Sequence, residues 1–565
     1  MKKTGSQILL ECLTLEGVDT IFGYPGGTVI NIYDDLMDSP INHILTRHEQ
    51  AAVHAADGYA RATGKVGVAL ATSGPGATNT ITGIATAYMD SIPMVVITGQ
   101  VPTPLIGNDA FQEADVIGIT RPITKHSYLV KDINDLARIV KQAFYIARTG
   151  RPGPVLIDLP KDVQIASTEF SYPETVELRG YKPNYSGNIR QIEKAAKMIL
   201  AARKPVIYVG GGVVLADSSA ELMQLAEMTQ IPVTTTLMAM SVFPKKHPLS
   251  LGMLGMHGTY YANMAMTNSD LLVSVGARFD DRVTGKIATF APHAKIIHVD
   301  IDPTSIKKNV RVDLPIVGDL KDVLKKLVHR LADKTEELTA LKTATNDWRE
   351  EIGDWKKQHP MSYKASKSII KPQYVIEKIR ELTNDDAIIT TEVGQHQMWT
   401  AQFFDFTQPR TFLSSGGLGT MGYGLPAALG AQAAFPKRQV IDVSGDGSFQ
   451  MNSQELATLV QYRLPVKIVI LNNNFLGMVR QWQQLFFNKR YSQTCMELPI
   501  DFVKLAEAYG ATGLRAEKPE QVEEVIRQAL ATDGPVIMEF KVAREENVLP
   551  MVPAGAGLNE MVLAS

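Results

Sequence analysis

Short β-branched runs that end at glycine turns alternate with helix-period stretches along most of this chain. That alternation predicts an α/β fold, with parallel sheets flanked by helices. Three blocks separate. In the first, a strand over Val66 to Ala71 leads into Ser73-Gly74-Pro75-Gly76, a helix follows from about Ala77 to Tyr88, and Met94 to Thr98 is the next strand. The second opens at Pro205 to Val209, turns at Gly210-Gly211-Gly212, and has later strands at Leu271 to Val275 and Ile296 to Asp300. The third begins with a strand over Ala387 to Glu392 and runs to about Lys541. Ser167 to Asn188, rich in Pro, Tyr and Ser, reads as a linker, and the charged, helix-patterned stretch from about Asp333 to Lys371 reads as a connector. The expected organisation is three domains, 1–166, 190–335 and 370–541, with a tail over 542–565.

The first and third blocks echo each other. A small-residue helix around Ala55-Ala56-Asp57-Gly58-Tyr59-Ala60 leads to a strand and Ser73-Gly74-Pro75-Gly76; one around Pro426-Ala427-Ala428-Leu429-Gly430-Ala431 leads to a strand and Ser444-Gly445-Asp446-Gly447. Any two βαβ units share this grammar, so the echo alone leaves duplication open. Composition then removes whole classes of function. The 565 residues agree with three or four domains at roughly 150 residues each. The balance of 57 Lys+Arg against 59 Asp+Glu excludes a nucleic-acid or acidic-membrane binder that relies on charge. No apolar run approaches the ~18 residues of a membrane span. Cys12 and Cys495 cannot build a disulfide framework or a CxxC site, which points to a reducing, cytoplasmic setting. Ile8 to Leu15 is interrupted by Glu11 and makes a poor secretory signal. The first block starts almost at Met1, so no organelle transit peptide is expected, and a prokaryotic cytoplasm is the expected home.

The densest chemistry lies between Gln439 and Asn474. A strand over Val440 to Val443 ends in Gly445-Asp446-Gly447, a helix follows from about Ser453 to Tyr462, and a strand over Val466 to Leu471 ends in Asn472-Asn473-Asn474. In a parallel sheet both turns lie at carboxyl ends of strands, where open α/β sheets bind ligands. Asp446 and Asn473 can therefore meet. A carboxylate and an amide oxygen, with one backbone carbonyl and two phosphate oxygens, form the oxygen set that Mg²⁺ prefers. Gly445 and Gly447 let backbone approach a diphosphate without Cβ clashes. Two decoys fall away or weaken here. His48-Glu49 suggests a zincin, but its second His would stand at position 52, which is Ala52. Gly417-Leu418-Gly419-Thr420-Met421-Gly422 satisfies GxGxxG before a helix, so a dinucleotide stays open on this motif alone.

Gly445-Asp446-Gly447 followed after a βα crossover by Asn472-Asn473 resembles the signature of the thiamine-diphosphate-dependent decarboxylase and carboligase superfamily. The resemblance implies an activating glutamate in the other related domain, and Glu49 in Thr46-Arg47-His48-Glu49-Gln50 matches it. A buried carboxylate on N1′ of the aminopyrimidine favours the tautomer that activates the cofactor. By the same resemblance Asp446, Asn473 and the Phe475 carbonyl hold Mg²⁺. Gly394, Gln395, His396, Gly445, Gly447 and Ser448 contact the diphosphate, the Gly419 carbonyl receives the 4′-amino group, and Met421 supports the bent cofactor.

Within that superfamily the chain is similar to the acetohydroxyacid (acetolactate) synthase large-subunit family over nearly its whole length. The phrases that carry this include Gly23-Tyr24-Pro25-Gly26-Gly27, Asp109-Ala110-Phe111-Gln112-Glu113, Arg278-Phe279-Asp280-Asp281-Arg282 and Leu476-Gly477-Met478-Val479-Arg480-Gln481-Trp482. The resemblance implies decarboxylation of pyruvate and condensation with a second pyruvate or with 2-oxobutyrate, at the opening of branched-chain amino-acid biosynthesis. Arg282 matches the cation for the acceptor carboxylate, with an ion pair to Asp280 or Asp281 as its plain alternative, and Trp482 matches the wall that prefers ethyl over methyl. Gln112 matches a polar group near the reacting carbon, and Phe111, Lys161 and Met478 match an access channel. The resemblance also implies FAD without a net redox role, held by Arg151, Gly211, Gly212, Thr236, Leu237, Met238, Met256, His257, Gly276, Arg278, Asp300, Ile301 and Asp319. Implied partners are a second copy, as a homodimer or dimer of dimers in which Glu49 of one chain faces Asp446, Asn473 and Met421 of the other, and a separate small regulatory subunit. The rival is a flavin-linked pyruvate oxidase. Thr103 and Pro104 depart from the basic residues some family members carry, so inhibitor sensitivity does not transfer.

Overall fold

A computed structural model describes residues 2–496 and 500–563. The first sheet contains β1 (Thr20–Gly23), β2 (Asn42–Leu45), β3 (Gly67–Ala71), β4 (Met94–Gln100), β5 (His126–Leu129) and β6 (Pro154–Pro160). The middle sheet contains β7 (Pro205–Val209), β8 (Val233–Thr235), β9 (Ser250–Met253), β10 (Leu271–Val275), β11 (Lys295–Asp300) and β12 (Leu314–Val317). The third contains β13 (Ile388–Thr391), β14 (Phe412–Ser414), β15 (Val440–Gly445), β16 (Lys467–Asn472), β17 (Thr512–Ala516) and β18 (Val536–Lys541). Every pairing within the three sheets is parallel. Counted within each block, the first and third sheets share the order 2-1-3-4-6-5, whereas the middle sheet runs 3-2-1-4-5-6, the doubly wound dinucleotide-fold order. An identical non-sequential order in two sheets supports the duplication that the sequence echo left open.

The two outer blocks meet through helices α1 (Glu49–Thr63) and α2 (Gly424–Ala434). α1 starts where the His48 ring accepts the Gln50 amide at 3.1 Å and stops at Gly64, which takes the left-handed conformation. Its alanines favour helix and leave no bulk on the contact face. A Cβ on Gly58 would stand 2.2 Å from the Ala427 carbonyl oxygen, and one on Gly430 would stand 1.8 Å from that of Ala55. The glycines therefore permit backbone-to-backbone packing. Buried residues of both blocks form one apolar core around this helix pair, while the middle sheet has separate cores on its two faces.

Two expected helices differ in detail. The helix after Gly76 divides into Pro75–Asn79 and Ile81–Asp90, because the Thr80 hydroxyl donates back to the Ala77 carbonyl at 2.6 Å and competes with the backbone ladder. The helix after Gly447 begins with an extra turn, Asp446–Phe449, followed by a 3₁₀ turn, Ser453–Glu455, before Leu456–Gln461. The connector is helical as expected, over Thr335–Ala344 and Asn346–Gln358. The tail crosses from the third block to the middle one: the Val548 amide donates to Gln481 at 2.8 Å, and the Val552 amide to the Met256 carbonyl at 2.8 Å. No helix among the described residues is long and apolar enough to cross a membrane.

Candidate active site

Asp446 stands at the end of β15 and Asn473 just past β16, neighbouring parallel strands in register from Ile441/Lys467 to Gly445/Leu471. Burial pushes the Asp446 carboxyl up to about 7, opposed by facing backbone amides that include those of Asn473 and Asn474 and by Lys541. The Asn473 side chain accepts the Phe475 amide at 3.0 Å and donates to Gln395 at 3.3 Å. Gln395 in turn donates to Gln481 and to the Glu546 carbonyl, both at 2.9 Å. His396 lies between the two glycine turns: a Cβ on Gly394 would be 2.7 Å from its Cε1, and one on Gly445 2.7 Å from its Nδ1. Burial lowers the His396 pKa to about 3, so the ring is neutral, and its buried Nε2 has no partner. A Cβ on Gly447 would meet the Leu476 side chain at 2.7 Å. Ser448 is buried in the same turn, its hydroxyl 3.4 Å from the Gly445 carbonyl.

A cavity of ≈ 820 Å³ opens beside this turn and continues into the middle block. Gly394, Gly419, Met421, Met478 and Trp482 form its third-block wall. Gly419 has φ +71, which favours glycine and exposes its backbone there. On the middle-block side the walls are the turns that follow β7, β8, β10 and β11: Gly211 and Gly212; Thr236, Leu237 and Met238; Gly276 and Arg278; Asp300 and Ile301. Met256, His257, Asp319 and, from the first block, Arg151 complete them. All thirteen residues named from the sequence for the flavin therefore share one cavity with Met421. Burial pushes the Asp300 carboxyl up to about 6 and lowers the His257 pKa to about 4, leaving the buried His257 Nε2 without a partner. Arg151 donates to Ser91 at 2.8 Å and pairs with Asp302 at 3.3 Å. Where the two walls meet, the Arg282 guanidinium lies 6.0 Å from the centre of the Trp482 ring and 3.6 Å from Asp281. The ion pair, expected with Asp280 or Asp281, is thus formed with Asp281.

The first-block candidates gather elsewhere. Glu49, in the first turn of α1, accepts from Asn79 at 2.9 Å. The Ser73-Gly74-Pro75-Gly76 turn separates it from Gln112: a Cβ on Gly76 would be 3.3 Å from Glu49 Oε1, and one on Gly74 2.9 Å from Gln112 Cβ. Gln112 itself has φ 59. Phe111 is 88% exposed, and Lys161 heads the short helix Lys161–Ile165. None of these four side chains lines the cavity among the described residues, so within one chain Phe111 and Lys161 do not join Met478 in a channel. The first-block candidates and the cavity are therefore two separate groups within the chain.

Comparison with known proteins now resolves the family. Residues 3–119, 192–327 and 392–540 match, in turn, the thiamine pyrophosphate enzyme N-terminal TPP binding domain, central domain and C-terminal TPP binding domain. The chain is 52% identical over 566 residues to the acetolactate synthase large subunit of Buchnera aphidicola (subsp. Schizaphis graminum), covering 99% of this chain and 98% of that protein. It is 49% identical to acetolactate synthase isozyme 3 large subunit of Escherichia coli (strain K12), covering 99% and 98%, and 51% identical to a probable acetolactate synthase large subunit of Methanocaldococcus jannaschii, covering 99% and 95%. The chain belongs to the acetolactate synthase large-subunit family.

In this acetolactate synthase family member, sequence reasoning missed the residues that tie the blocks together. Asp90 accepts from the amides of Gly416 at 3.0 Å and Gly417 at 2.7 Å, holding the loop that bears Gly419 and Met421. Arg61 of α1 pairs with Asp90 and Asp57, and Asp57 accepts from Tyr423 at 2.7 Å. The coupled partners hold the Arg61 guanidinium charged against a desolvation that alone would lower its pKa. A faint signal existed in the Asp57/Arg61 spacing, one helical turn apart; nothing local pointed to Asp90.

Proposed function

We propose that this chain is the catalytic subunit of an acetolactate synthase, joining two pyruvates to 2-acetolactate with loss of CO₂, or pyruvate and 2-oxobutyrate to 2-aceto-2-hydroxybutyrate. The observation that carries this reading is the single cavity in which the third-block turn, with Gly419 and Met421, meets Arg282 over Trp482. The proposed domain limits are 1–166, 190–335 and 370–541, with a tail over 542–565.

The residues fit the cofactors. The unpartnered His396 Nε2 between Gly394 and Gly445 suits a diphosphate oxygen, and Gln395, Gly447 and Ser448 complete that end. No group of three or more His, Cys, Asp or Glu side chains among the described residues could hold a metal ion by itself. A Mg²⁺ ion held by Asp446, the Asn473 amide oxygen and the Phe475 carbonyl would therefore take its remaining oxygens from the diphosphate. The middle-block glycine turns and His257 Nε2 suit an extended dinucleotide such as FAD. Thiamine diphosphate, when bound, supplies the electron sink that lets a 2-oxo acid lose CO₂. Glu49 holds the proton exchanged with N1′ of its aminopyrimidine. Met421 and the Gly419 carbonyl would orient that ring, and Gln112 of another copy would supply a polar group near the reacting carbon. Arg282 anchors the acceptor carboxylate, and Trp482 gives the acceptor alkyl group an apolar wall. The separation of Glu49 from the cavity supports a dimer, or dimer of dimers, in which Glu49, Gln112, Phe111 and Lys161 of one copy complete the cavity of another. A small regulatory subunit fits the large-subunit names of the relatives. The two cysteines and the absence of a spanning helix among the described residues support a cytoplasmic location.

The test is anaerobic incubation of the purified protein with pyruvate, Mg²⁺, thiamine diphosphate and FAD, following CO₂ and acetolactate, with Glu49→Gln alongside. One acetolactate per CO₂, lost in the variant, is the expected result. CO₂ accompanied by acetate and reduced flavin would overturn it.

A further inference from the structure

Phe279 is an outlier at an informative place. It is a bulky residue with φ 57, a conformation that its Cβ disfavours, and it lies in the Arg278-Phe279-Asp280-Asp281-Arg282 segment between β11's neighbour β10 and the short helix Asp281–Thr284. Such strain persists only where surrounding structure over-determines it, and here the surroundings are visible. The ring is 2% exposed and meets Tyr208, His298 and Phe290 edge-on, with centroids 5.1, 5.1 and 5.9 Å away. The backbone on both sides is held as well: His298 Nε2 lies 2.8 Å from the Ala277 carbonyl, and Asn309 donates to the carbonyls of Phe279 at 2.9 Å and Arg278 at 3.3 Å.

The downstream end of this segment is where precision matters. The Arg282 side chain is 58% exposed, and its only close charged partner among the described residues is Asp281, at 81% still more exposed. No hydrogen bond from another side chain fixes its guanidinium among the described residues. Its placement over Trp482 is therefore inherited from the backbone, which the Arg282 carbonyl also anchors by accepting the Met256 amide at 2.8 Å.

We infer that Phe279 is a positioning residue for acceptor choice: its buried ring holds the segment in a left-handed kink that sets how far Arg282 reaches across Trp482, and hence which 2-oxo acid the site accepts. This rests on the acetolactate synthase reading. A longer or looser reach lets the acceptor slide against Trp482 and weakens the distinction between a methyl and an ethyl group.

The measurement is product partition, the ratio of 2-aceto-2-hydroxybutyrate to 2-acetolactate formed from a fixed mixture of pyruvate and 2-oxobutyrate by the full-length holoenzyme. Both products come from the same active molecules, so a loss of folded or loaded protein leaves the ratio unmoved. Phe279→Gly, which relieves the kink and removes the ring, is expected to change the preference by about threefold or more, within the range one methylene can supply. Asn309→Ala, at an exposed position that does not threaten folding, is expected to shift it in the same direction by less. Phe279→Leu carries the test if the glycine variant does not fold. An unchanged ratio in Asn309→Ala and in a folded Phe279 variant overturns the proposal, even if total activity falls. A wild-type protein that forms neither product overturns the underlying reading instead, so the two failures are distinguishable.

Discussion

The first and third sheets have the same strand order, and each sends a small-residue helix, α1 or α2, into the joint between them. A carboxylate serves the head of both helices, yet the two are treated differently. Glu392, at the end of β13, is fully buried and accepts the amides of Gly422, Tyr423, Gly424 and Leu425. Burial and the nearby Asp442 push its pKa well above the usual carboxylate range. Glu49 is part of its own helix, has Asn79 as its side-chain donor, and sits buried beside the Gly76 turn. A carboxylate saturated by backbone amides is a cap. Glu49, with a single side-chain donor, keeps acceptor capacity that Glu392 does not. Duplication thus supplied one scaffold twice, and the number of donors offered to each acid is what differs between the copies.

That contrast breaks most sharply at the two acids. Glu49→Gln is expected to lower kcat by about 10²–10⁴, the span of proton-transfer catalysis, with the melting temperature unchanged. Glu392→Gln is expected to lose about 1–3 kcal/mol of stability through mismatched buried amides while the surviving folded protein keeps near-normal kcat. Exchanged outcomes, read by steady-state rates and thermal unfolding, would erase the distinction. Next in size, Asp446→Ala should raise the half-saturating Mg²⁺ concentration in reconstitution of chelator-treated protein by at least about tenfold. An unaltered Mg²⁺ requirement would move the metal away from the third sheet.

Smaller effects sharpen the symmetry. Gly58→Ala and Gly430→Ala each push a Cβ into the opposing helix backbone and should each cost about 1–3 kcal/mol in urea unfolding; a large effect at only one would show that the joint is lopsided. The smallest effect concerns Glu455, which accepts the Arg47 amide at 2.9 Å just ahead of Glu49. Burial raises its pKa from 4.5 to about 7. A carboxyl raised on folding contributes stability that is full below its unfolded pKa and is lost as pH rises through the folded one. Glu455→Gln should therefore flatten the decline in melting temperature between about pH 5 and 8 by about 1–2 °C, and an unflattened decline would remove Glu455 from the joint.

Most of the layout was legible because parallel strands announce themselves locally. Pro205–Val209 and Leu271–Val275 have the limits their apolar runs predict, and the Asp446/Asn473 pair follows from strand ends alone. The candidate residues came from the resemblance, and their grouping into a cavity wall and a separate first-block turn could not be read from it. The approach of Arg282 to Trp482 and the clamp of Asp90 on Gly416 and Gly417 depend on which blocks touch, information carried by no local period. Phe279 is the plainest case, since an aromatic residue among charged neighbours gives no sign of a left-handed backbone.

The joint between α1 and α2 also dictates an order of events. Asp57 and Tyr423 hydrogen-bond across 366 residues of chain, so the core they share cannot close until both outer blocks exist. Contacts of such long range slow folding and leave apolar surface waiting. The middle sheet depends on distant chain on one face only: the core there is completed by Val552 and Leu558 of the tail, while the core on the other face is drawn from residues 192–341. During synthesis that second face can close before the third block exists, while the first block holds an uncovered helix face. That face is where chaperone capture or misassembly between nascent chains should concentrate.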